Sequence, residues 1–276
     1  NAEFAQARAS ARRIADVLAS PTAVPGGTQA PADTEAGHVR LYGVRLGALR
    51  GVDLDLPAGS LTGIVTRDPA AAHDLLLALA RETDPTEGRV ELDGTPLTDL
   101  DPDLLRRAVL VSPHDADLFE SSLLDVVRAG ANTAQGTDTA EGTDTRTVAA
   151  ALAASGADEV ARVLPHGTAT MLGERGRSLS GGQRQRVALA RALAADAPVL
   201  VLHDPTTAVD TVTESRIATR LRDIRRGRTT ILITTSPALL ATTERVVVLD
   251  GGTVTADGSH AELLATDETY RTAVLA

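Results

Sequence analysis

The stretch LSGGQRQRVALARAL, residues 179–193, is the most informative part of this sequence. A serine followed by two glycines opens a helix there, so the first backbone N–H groups and the positive end of the helix face outward. Such a helix start forms an anion-binding surface that suits a phosphate group. On Ser180-Gly181-Gly182 alone, a serine N-cap followed by flexible glycines explains the pattern equally well.

Buried strands alternate with helices on both sides of this stretch. Short apolar runs predict the strands, and Ala- and Leu-rich segments between them predict the helices. This alternation indicates a parallel α/β core. The predicted strands are LTGIV (61–65), AVLVS (108–112), PVLVLH (198–203) and TTILIT (229–234), and the predicted helices cover about 70–81, 182–195 and 211–227.

The composition of the 276 residues is that of a folded globular chain, with 43% hydrophobic and 23% charged residues. Twenty-seven basic residues against 37 acidic ones give a net charge of −10, which argues against nucleic-acid binding because that needs a cationic surface. The absence of cysteine excludes disulfides and thiolate metal ligands. No apolar run approaches the roughly 18 residues that cross a bilayer.

The first 37 residues and the middle of the chain differ from this core. A near-duplicated hexapeptide, TAQGTD-TAEGTD (133–144), predicts a disordered surface loop within a mainly helical region, 113–180. Residues 21–37 predict a flexible linker, and the start at Asn1-Ala2 without Met is interpreted as an expression remnant. An amphipathic helix precedes the linker, with apolar residues at helical spacing: Phe4, Ala7, Ala11, Ile14 and Leu18.

The whole string from Leu179 onward resembles the signature motif of ATP-binding cassette (ABC) proteins, and the resemblance extends over about residues 38–276. Thr207-Ala208-Val209-Asp210 resembles the D-loop of that family. Gly173-Glu174-Arg175-Gly176 resembles the loop that touches the transmembrane partner in exporters, so Glu174 is the expected partner contact.

This resemblance implies a P-loop NTPase-like (RecA-like) α/β core with an antiparallel β subdomain and an α-helical signature subdomain at about 113–180. It also implies that residues 38–276 form the nucleotide-binding domain. Residues 1–37 then correspond to the end of an exporter's last transmembrane helix and the linker that follows it.

The family's P-loop falls on residues 66–74, TRDPAAAHD, and little of it remains. The family places glycines that cradle phosphates, a lysine that neutralises charge and a hydroxyl that binds Mg²⁺ in this loop. Thr66, Pro69 and Ala71 stand at the glycine positions, Ala72 stands at the lysine position and His73 stands at the hydroxyl position. Pro69 also removes a backbone donor, and Asp68 and Asp74 add negative charge.

The other nucleotide-binding motifs are altered in the same way. His203 stands where the magnesium-holding Asp belongs, and Asp204 stands at the catalytic Glu position. His114 replaces the loop Gln, and Thr235 replaces the switch His. The hairpin after Leu46 lacks an aromatic residue that would stack on adenine, since Tyr42 lies too early and belongs to a strand face. Together these changes remove the electrostatic interactions that hold Mg-ATP.

The family's nucleotide sites form between two cassettes, one supplying the P-loop and the other the signature. The resemblance therefore implies a heteromeric exporter at the cytoplasmic face of the cell membrane. In it, this chain is the inert half and a second ABC half carries intact Walker motifs. We expect no ATP on the isolated chain. Five residues are expected to complete the partner's site for ATP and Mg²⁺: Ser180, Gly181, Gly182, Gln183 and Asp210.

Three alternatives stay open at this stage. One is a soluble cassette protein that works on DNA or ribosomes, which the net charge and the exporter-like features disfavour. Another is a working ATPase with altered motifs, which Ala72 and His203 together disfavour. The third is a domain that binds a different ligand: His73, His114 and His203 stand at the three magnesium positions, and imidazole is a good ligand for Zn²⁺. Space-filling neutral histidines explain the same trio.

Overall fold

The computed structural model describes residues 2–20, 24–32, 37–115, 117–134 and 141–275. The helices are α1 (Ala2–Leu18), α2 (Pro69–Leu79), α3 (Pro102–Ala108), α4 (Leu123–Ala134), α5 (Glu141–Ser155), α6 (Ala157–Val163), α7 (Gly181–Ala194), α8 (Thr211–Ile224), α9 (Pro237–Leu240), α10 (His260–Thr266) and α11 (Glu268–Leu275). The strands are β1 (Val39–Leu46), β2 (Leu49–Leu56), β3 (Leu61–Val65), β4 (Glu87–Leu92), β5 (Thr95–Pro96), β6 (Val109–Ser112), β7 (Val199–His203), β8 (Thr229–Ile233), β9 (Arg245–Asp250) and β10 (Thr253–Gly258).

The strands form two sheets, the mainly parallel one that the strand patterns predict and the antiparallel one that the family resemblance implies. The larger sheet has the order β10-β9-β3-β8-β7-β6, in which every pair except β10 with β9 is parallel. The smaller sheet, β2-β1-β4-β5, is antiparallel. The parallel strands are apolar on both faces because both faces are covered, whereas β2 alternates buried and exposed residues because one face meets water.

The alternation of side chains along β7 separates two layers of the core. Leu200 and Leu202 belong to the cluster formed with α4 to α8, while Val199 and Val201 belong to the cluster formed with α2 and the smaller sheet. Small residues bring the helices close: a Cβ at Gly130 of α4 would lie 2.0 Å from the carbonyl oxygen of Arg191 in α7. The aromatic-poor core is thus packed through Ala, Gly, Leu and Val.

The parallel sheet brings the altered motifs to one edge. The carboxyl ends of neighbouring parallel strands meet at the same edge of a sheet, which is where open α/β folds bind ligands. Thr66 follows β3, His114 follows β6, His203 ends β7 and Thr235 follows β8. The parallel direction of these strands therefore places all four positions at one edge of the sheet.

The middle of the chain is less helical than the prediction for 113–180. The region contains the helices α4, α5 and α6, but residues 164–180 contain only two short 3₁₀ turns, Gly167–Ala169 and Glu174–Gly176. Glycines with positive φ at 167 and 176 interrupt any longer helix. In the predicted loop at 133–144, residues 133–134 end α4 and 141–144 begin α5. Residues 135–140 lie outside the described residues.

The N-terminal region contains the predicted helix, α1, whose Ile14, Val17 and Leu18 are exposed. In the described part of the chain, no helix is long and apolar enough to cross a bilayer. Of the predicted linker, residues 21–23 and 33–36 lie outside the description.

Residues 24–32 of that linker correct the expectation of a free, flexible segment, because they lie against the domain. The carbonyl oxygen of Asp99 accepts hydrogen bonds from the amides of Thr28 and Gln29 at 3.0 and 2.9 Å. Arg81 donates to the carbonyl oxygen of Pro25 at 2.6 Å. Composition alone does not reveal these backbone partners.

Candidate functional site

Ser180 caps the start of α7 and leaves part of it open. Its hydroxyl oxygen accepts a hydrogen bond from the Gln183 amide at 3.3 Å, and the Gln183 side chain accepts one from the Ser180 amide at 2.9 Å. Ser180 and Gly181 are exposed. Across the described ranges, no acceptor takes the amide hydrogens of Gly181 and Gly182. This helix start therefore presents two free donors and a positive dipole end to an anion.

The predicted D-loop supports this helix start from behind. A Cβ at Gly182 would lie 2.4 Å from the carbonyl oxygen of Ala208, so only glycine fits there. Gln185 binds the same loop twice, donating to the Thr207 hydroxyl at 2.8 Å and accepting from the Ala208 amide at 2.8 Å. The signature segment and the D-loop thus form one continuous, hydrogen-bonded surface.

An open cleft of about 430 Å³ lies beside this surface. Charged side chains of both signs line it, with Asp115 and Asp117 from the loop after β6 and Arg175 and Arg184 from the signature side. Glu174 is exposed at the rim of the same region, next to Arg175, whose φ is +54°. Its exposure is what a contact residue needs, and its role as the partner contact stays a prediction.

Asp210 has a local structural partner that the sequence did not predict. Its carboxylate caps α8 by accepting a hydrogen bond from the Thr213 amide at 3.0 Å. Hydrogen bonds from the Thr213 backbone and side chain lower the pKa of this carboxyl. The carboxylate is thus charged and fixed at the start of α8. Its expected role toward a partner's nucleotide stays a prediction.

The start of α2, at the predicted P-loop, is closed. Asp68 caps this helix: its carboxylate accepts from the Ala70 amide at 2.9 Å, and its carbonyl oxygen accepts from the Ala72 amide at 3.1 Å. The Asp68 amide donates to the Thr66 hydroxyl at 3.2 Å, and Pro69 has no amide hydrogen to donate. The helix begins where the loop would cradle phosphates, so the Ala70 and Ala72 amides already have acceptors and the Asp68 carboxylate lies at the positive end.

Asp74 corrects the sequence prediction at this site. Its carboxylate points to the turn between β1 and β2, where it accepts a hydrogen bond from the Ala48 amide at 2.7 Å. A Cβ at Gly47, where φ is +52°, would collide with that carboxylate. Ala71 and Ala72 are buried in the core, and His73 is exposed. Ala72, at the position of the family's lysine, supplies no cation, and the arginine of this segment, Arg67, is exposed ahead of the Asp68 cap.

The histidines lie near one another at the edge of the sheet, but they do not form a metal site. The rings of His114 and His203 are 6.3 Å apart between centroids. In the described ranges, no group of three or more His, Asp or Glu side chains is arranged to hold a metal ion. The zinc hypothesis for His73, His114 and His203 therefore has no support in the structure.

Burial lowers the pKa of the half-buried His203. The charge of Asp204 raises this pKa in part, and the nearby His114 and His73 lower it further. A neutral imidazole thus replaces the carboxylate that the family uses for Mg²⁺. Asp204, with φ of +45°, donates its amide to the carbonyl oxygen of Ile233 at 3.0 Å. The residues of this edge therefore do not fit Mg-ATP.

The family model for ABC transporters matches residues 49–207, more than half of the chain. The chain belongs to the ABC transporter family. The predicted family and fold class are confirmed, and the domain is an exporter-type ABC nucleotide-binding domain. ABC domains as a family bind ATP with Mg²⁺.

Similar proteins support this assignment for the ABC domain as a whole. An ATP-dependent lipid A-core flippase of Chromohalobacter salexigens is 34% identical over 98% of this chain and 46% of its own length. The mycobactin import ATP-binding/permease protein IrtB of Mycolicibacterium thermoresistibile is 37% identical over 94% of this chain and 44% of its own length. The solved structure of a bacterial Atm1-family ABC exporter with ATP bound superposes with a TM-score of 0.85 at 30% identity, over 98% of this chain and 47% of that one. This ABC domain spans less than half the length of these relatives.

Tyr42 behaves as the sequence predicted, as a strand residue of this ABC domain. It lies in β1, and the Arg89 guanidinium of β4 sits 4.4 Å from its ring centroid. Its ring face is therefore covered by a side chain of the same sheet.

Two supporting residues were missed from the sequence. Gln185 lies four residues after Gly181, so helical spacing alone places both on one face of α7. Glu214 accepts hydrogen bonds from Thr206 at 2.6 Å and Ser236 at 2.8 Å, and so joins the segment after β7 to the segment after β8. No local pattern marks Glu214, because its partners lie in two other segments, eight residues before it and 22 residues after it.

Proposed function

We propose that this chain is the catalytically inert nucleotide-binding domain of an asymmetric ABC exporter, and that its signature segment completes the ATP site of a partner domain with intact motifs. The observation that carries the proposal is the contrast between two helix starts. The start of α7 is open to an anion, while the start of α2 is filled by its own Asp68.

The signature side has the chemistry to bind a terminal phosphate presented by a partner. The amides of Gly181 and Gly182 point out of the helix, and the Ser180 hydroxyl keeps its hydrogen free to donate because its oxygen serves as the cap acceptor. The first turn of α7 carries no acidic residue. Three donors and the helix dipole therefore act on one anion, and none of them requires a charged side chain.

The P-loop side of this chain differs in its donors and in its charge. The Ala70 and Ala72 amides are bonded to Asp68, the Asp68 amide is bonded to Thr66, and the position of the family's lysine is a buried alanine, Ala72. His203 offers no negative charge to Mg²⁺. Hydrolysis would then depend on the partner's P-loop, metal ligands and base, with this chain's contribution limited to the signature surface.

The exporter context follows from the relatives and from the N-terminal region. The matched proteins are named a flippase, an import ATP-binding/permease protein and an exporter, and each is about twice as long as this chain. An associated transmembrane domain would adjoin α1 and place this domain at the cytoplasmic face of the membrane. The net charge of −10 disfavours a nucleic-acid partner.

A first experiment titrates the isolated chain with Mg-ATP by calorimetry. We expect no binding at physiological nucleotide concentration, because the Asp68 carboxylate occupies the start of α2 and Ala72 stands where the family has its lysine. A dissociation constant in the micromolar range would contradict the proposed inertness of this site.

A second experiment measures ATP turnover of the complex reconstituted with the partner domain. Ser180→Arg should lower turnover by about a hundredfold or more, since removing donors that act on developing charge has effects of that size. The matched control is Ala70→Arg, which puts the same bulky cation at the exposed start of α2. It should leave turnover unchanged. Full activity of the Ser180→Arg complex would overturn the proposal.

A further inference from the structure

Glu214, in the first turn of α8, holds two loops through one carboxylate oxygen. Its Oε1 accepts hydrogen bonds from the Thr206 hydroxyl at 2.6 Å and from the Ser236 hydroxyl at 2.8 Å. Hydrogen bonds to an ionised carboxylate are shorter and stronger than bonds between neutral groups. One side chain therefore ties the segment after β7 to the segment after β8.

Thr206 needs this acceptor because its side chain is buried. The residue is 2% exposed, and a buried hydroxyl that loses its acceptor is left with the full cost of its desolvation. Thr206 directly precedes the D-loop residues 207–210, and its carbonyl oxygen accepts a hydrogen bond from the Val209 amide at 2.9 Å. The bond to Glu214 therefore fixes the base of a tight turn that carries the D-loop.

The tip and the end of the D-loop have attachments of their own. Gln185 of α7 binds the tip through two hydrogen bonds, and Asp210 ends the loop as the N-cap of α8. Since the Ala208 carbonyl oxygen lies close against Gly182, a shift of the loop would also move the start of α7. The base that Glu214 holds thus affects the D-loop and the signature segment together.

Ser236 extends the link to the segment that carries Thr235, the residue at the family's switch position. Its hydroxyl donates to Glu214, and its oxygen accepts from the Leu239 amide at 3.3 Å, so that it also caps α9. The Ser236 amide in turn donates to the Thr234 hydroxyl at 3.2 Å. The D-loop is therefore attached through Glu214 to a segment that is itself held at the end of β8.

We infer that Glu214 is a positioning residue for the ATP site of the partner domain. It holds the D-loop and the signature segment in one arrangement, and it couples that arrangement to the segment after β8. Its Oε1 is occupied by two hydroxyls of this chain, so it acts through Thr206 and Ser236 and not by touching a ligand. The inference rests on the proposed function, in which the D-loop and the signature segment face the partner's nucleotide.

The first test measures amide hydrogen exchange of the full chain in the wild type and in variants of Glu214. In Glu214→Ala we expect the Val209 amide to exchange about tenfold faster or more, because hydrogen bonds to a charged group hold the turn that protects it. Glu214→Gln keeps an acceptor at Oε1 and should stay near the wild type. Thr206→Val removes the other partner of the same bond. It should match Glu214→Ala, and the double variant should exchange no faster than either single variant.

Glu262→Ala is the matched control, because one oxygen of Glu262 likewise accepts two hydrogen bonds, both from Ser259 at the start of α10. It should lower the stability of the chain without speeding the exchange of the Val209 amide. Equal Val209 exchange in the wild type and in Glu214→Ala would overturn the inference. An equal increase in Glu262→Ala would also overturn it, because the increase would then report a general loss of stability.

The second test measures ATP turnover of the complex reconstituted with the partner domain. Glu214→Ala should lower kcat about tenfold or more with little change in KM, since a displaced group is lost to the transition state. Glu214→Gln should restore most of kcat, and Glu262→Ala should leave it unchanged. If Ser180→Arg abolishes turnover while Glu214→Ala keeps the full kcat, the inference is wrong and the proposed function stands. If Ser180→Arg keeps full turnover, the proposed function is wrong, and the exchange result still decides whether Glu214 holds the D-loop.

Discussion

The starts of α7 and α2 are built from the same helix physics and have opposite surfaces. Both helices begin with a polar N-cap, Ser180 in one and Asp68 in the other, and both have a positive dipole end. After Ser180 come two glycines with free amides. After Asp68 come Pro69, which has no amide hydrogen, and Ala70 and Ala72, whose amides Asp68 itself binds.

This difference teaches that a helix dipole alone does not make an anion site. What decides is whether the chain supplies its own acceptor for the first-turn amides. Ser180 caps the third helical amide through Gln183 and leaves the first two open. Asp68 brings a full negative charge to the place a ligand would occupy. The residue at the N-cap and the few residues after it therefore decide whether a helix start can bind an anion.

The sharpest test of the open helix start is Gly182→Ala. The new Cβ would meet the Ala208 carbonyl oxygen at 2.4 Å, so either α7 or the D-loop must shift. We expect a loss of about 1–3 kcal/mol in the free energy of unfolding, the usual cost of overpacking. Urea unfolding measures it.

Gly181→Ala is the control for that variant, because its Cβ would sit 3.5 Å from the Ala208 Cβ, an ordinary contact. Its stability should stay within about 0.5 kcal/mol of the wild type. Equal stability of the two variants would show that the D-loop does not hold the signature segment as the structure has it.

The closed helix start is tested by Asp68→Ala. Removing the cap leaves the Ala70 amide without its acceptor, so the free energy of unfolding should fall by about 1 kcal/mol. Asp68→Ser keeps a capping oxygen and should recover most of the loss. If the alanine variant unfolds at the same urea concentration as the wild type, the cap is not what closes this helix.

The smallest expected effect is a pH dependence from His203. Because burial lowers its pKa, the unfolded chain takes up a proton at higher pH than the folded chain does. The free energy of unfolding should therefore fall as the pH drops below about 6.5. His203→Gln should make this fall shallower, measured by urea unfolding at pH 7.5 and at about pH 5.5.

His260, whose pKa burial also lowers, keeps part of the slope in that variant. An unchanged slope in His203→Gln would mean that the imidazole is not held neutral. The edge of the sheet would then carry a cation instead.

Much of the fold could be predicted because it is encoded locally. The apolar runs at 61–65, 198–203 and 229–234 became β3, β7 and β8, since a strand buried on both faces needs continuous apolar residues. The start of α7 was equally clear, because Ser180 and Gln183 form a capping box that involves no other part of the chain.

What the sequence hid depends on distant partners. Asp74 accepts a hydrogen bond from the amide of Ala48, 26 residues earlier in a hairpin, and Glu214 joins two loops. Neither role has a local sequence pattern. Residues 24–32 have the composition of a linker, and their binding to the Asp99 carbonyl oxygen involves backbone atoms that carry no sequence signal. The closed start of α2 could be predicted only in part. Pro69 and Asp68 indicated a lost donor and an added negative charge, whereas the structure shows which amides Asp68 binds.

The attachment of residues 24–32 gives α2 a second use. Arg81, just beyond the end of that helix, is buried and grips three groups: the carboxylate of Asp84 and the carbonyl oxygens of Leu100 and Pro25. A force applied to the chain from the side of α1 would act on these hydrogen bonds of Arg81 before it acted on β1. The C-terminal end of α2 is thus the point where tension from the N-terminal side enters the domain.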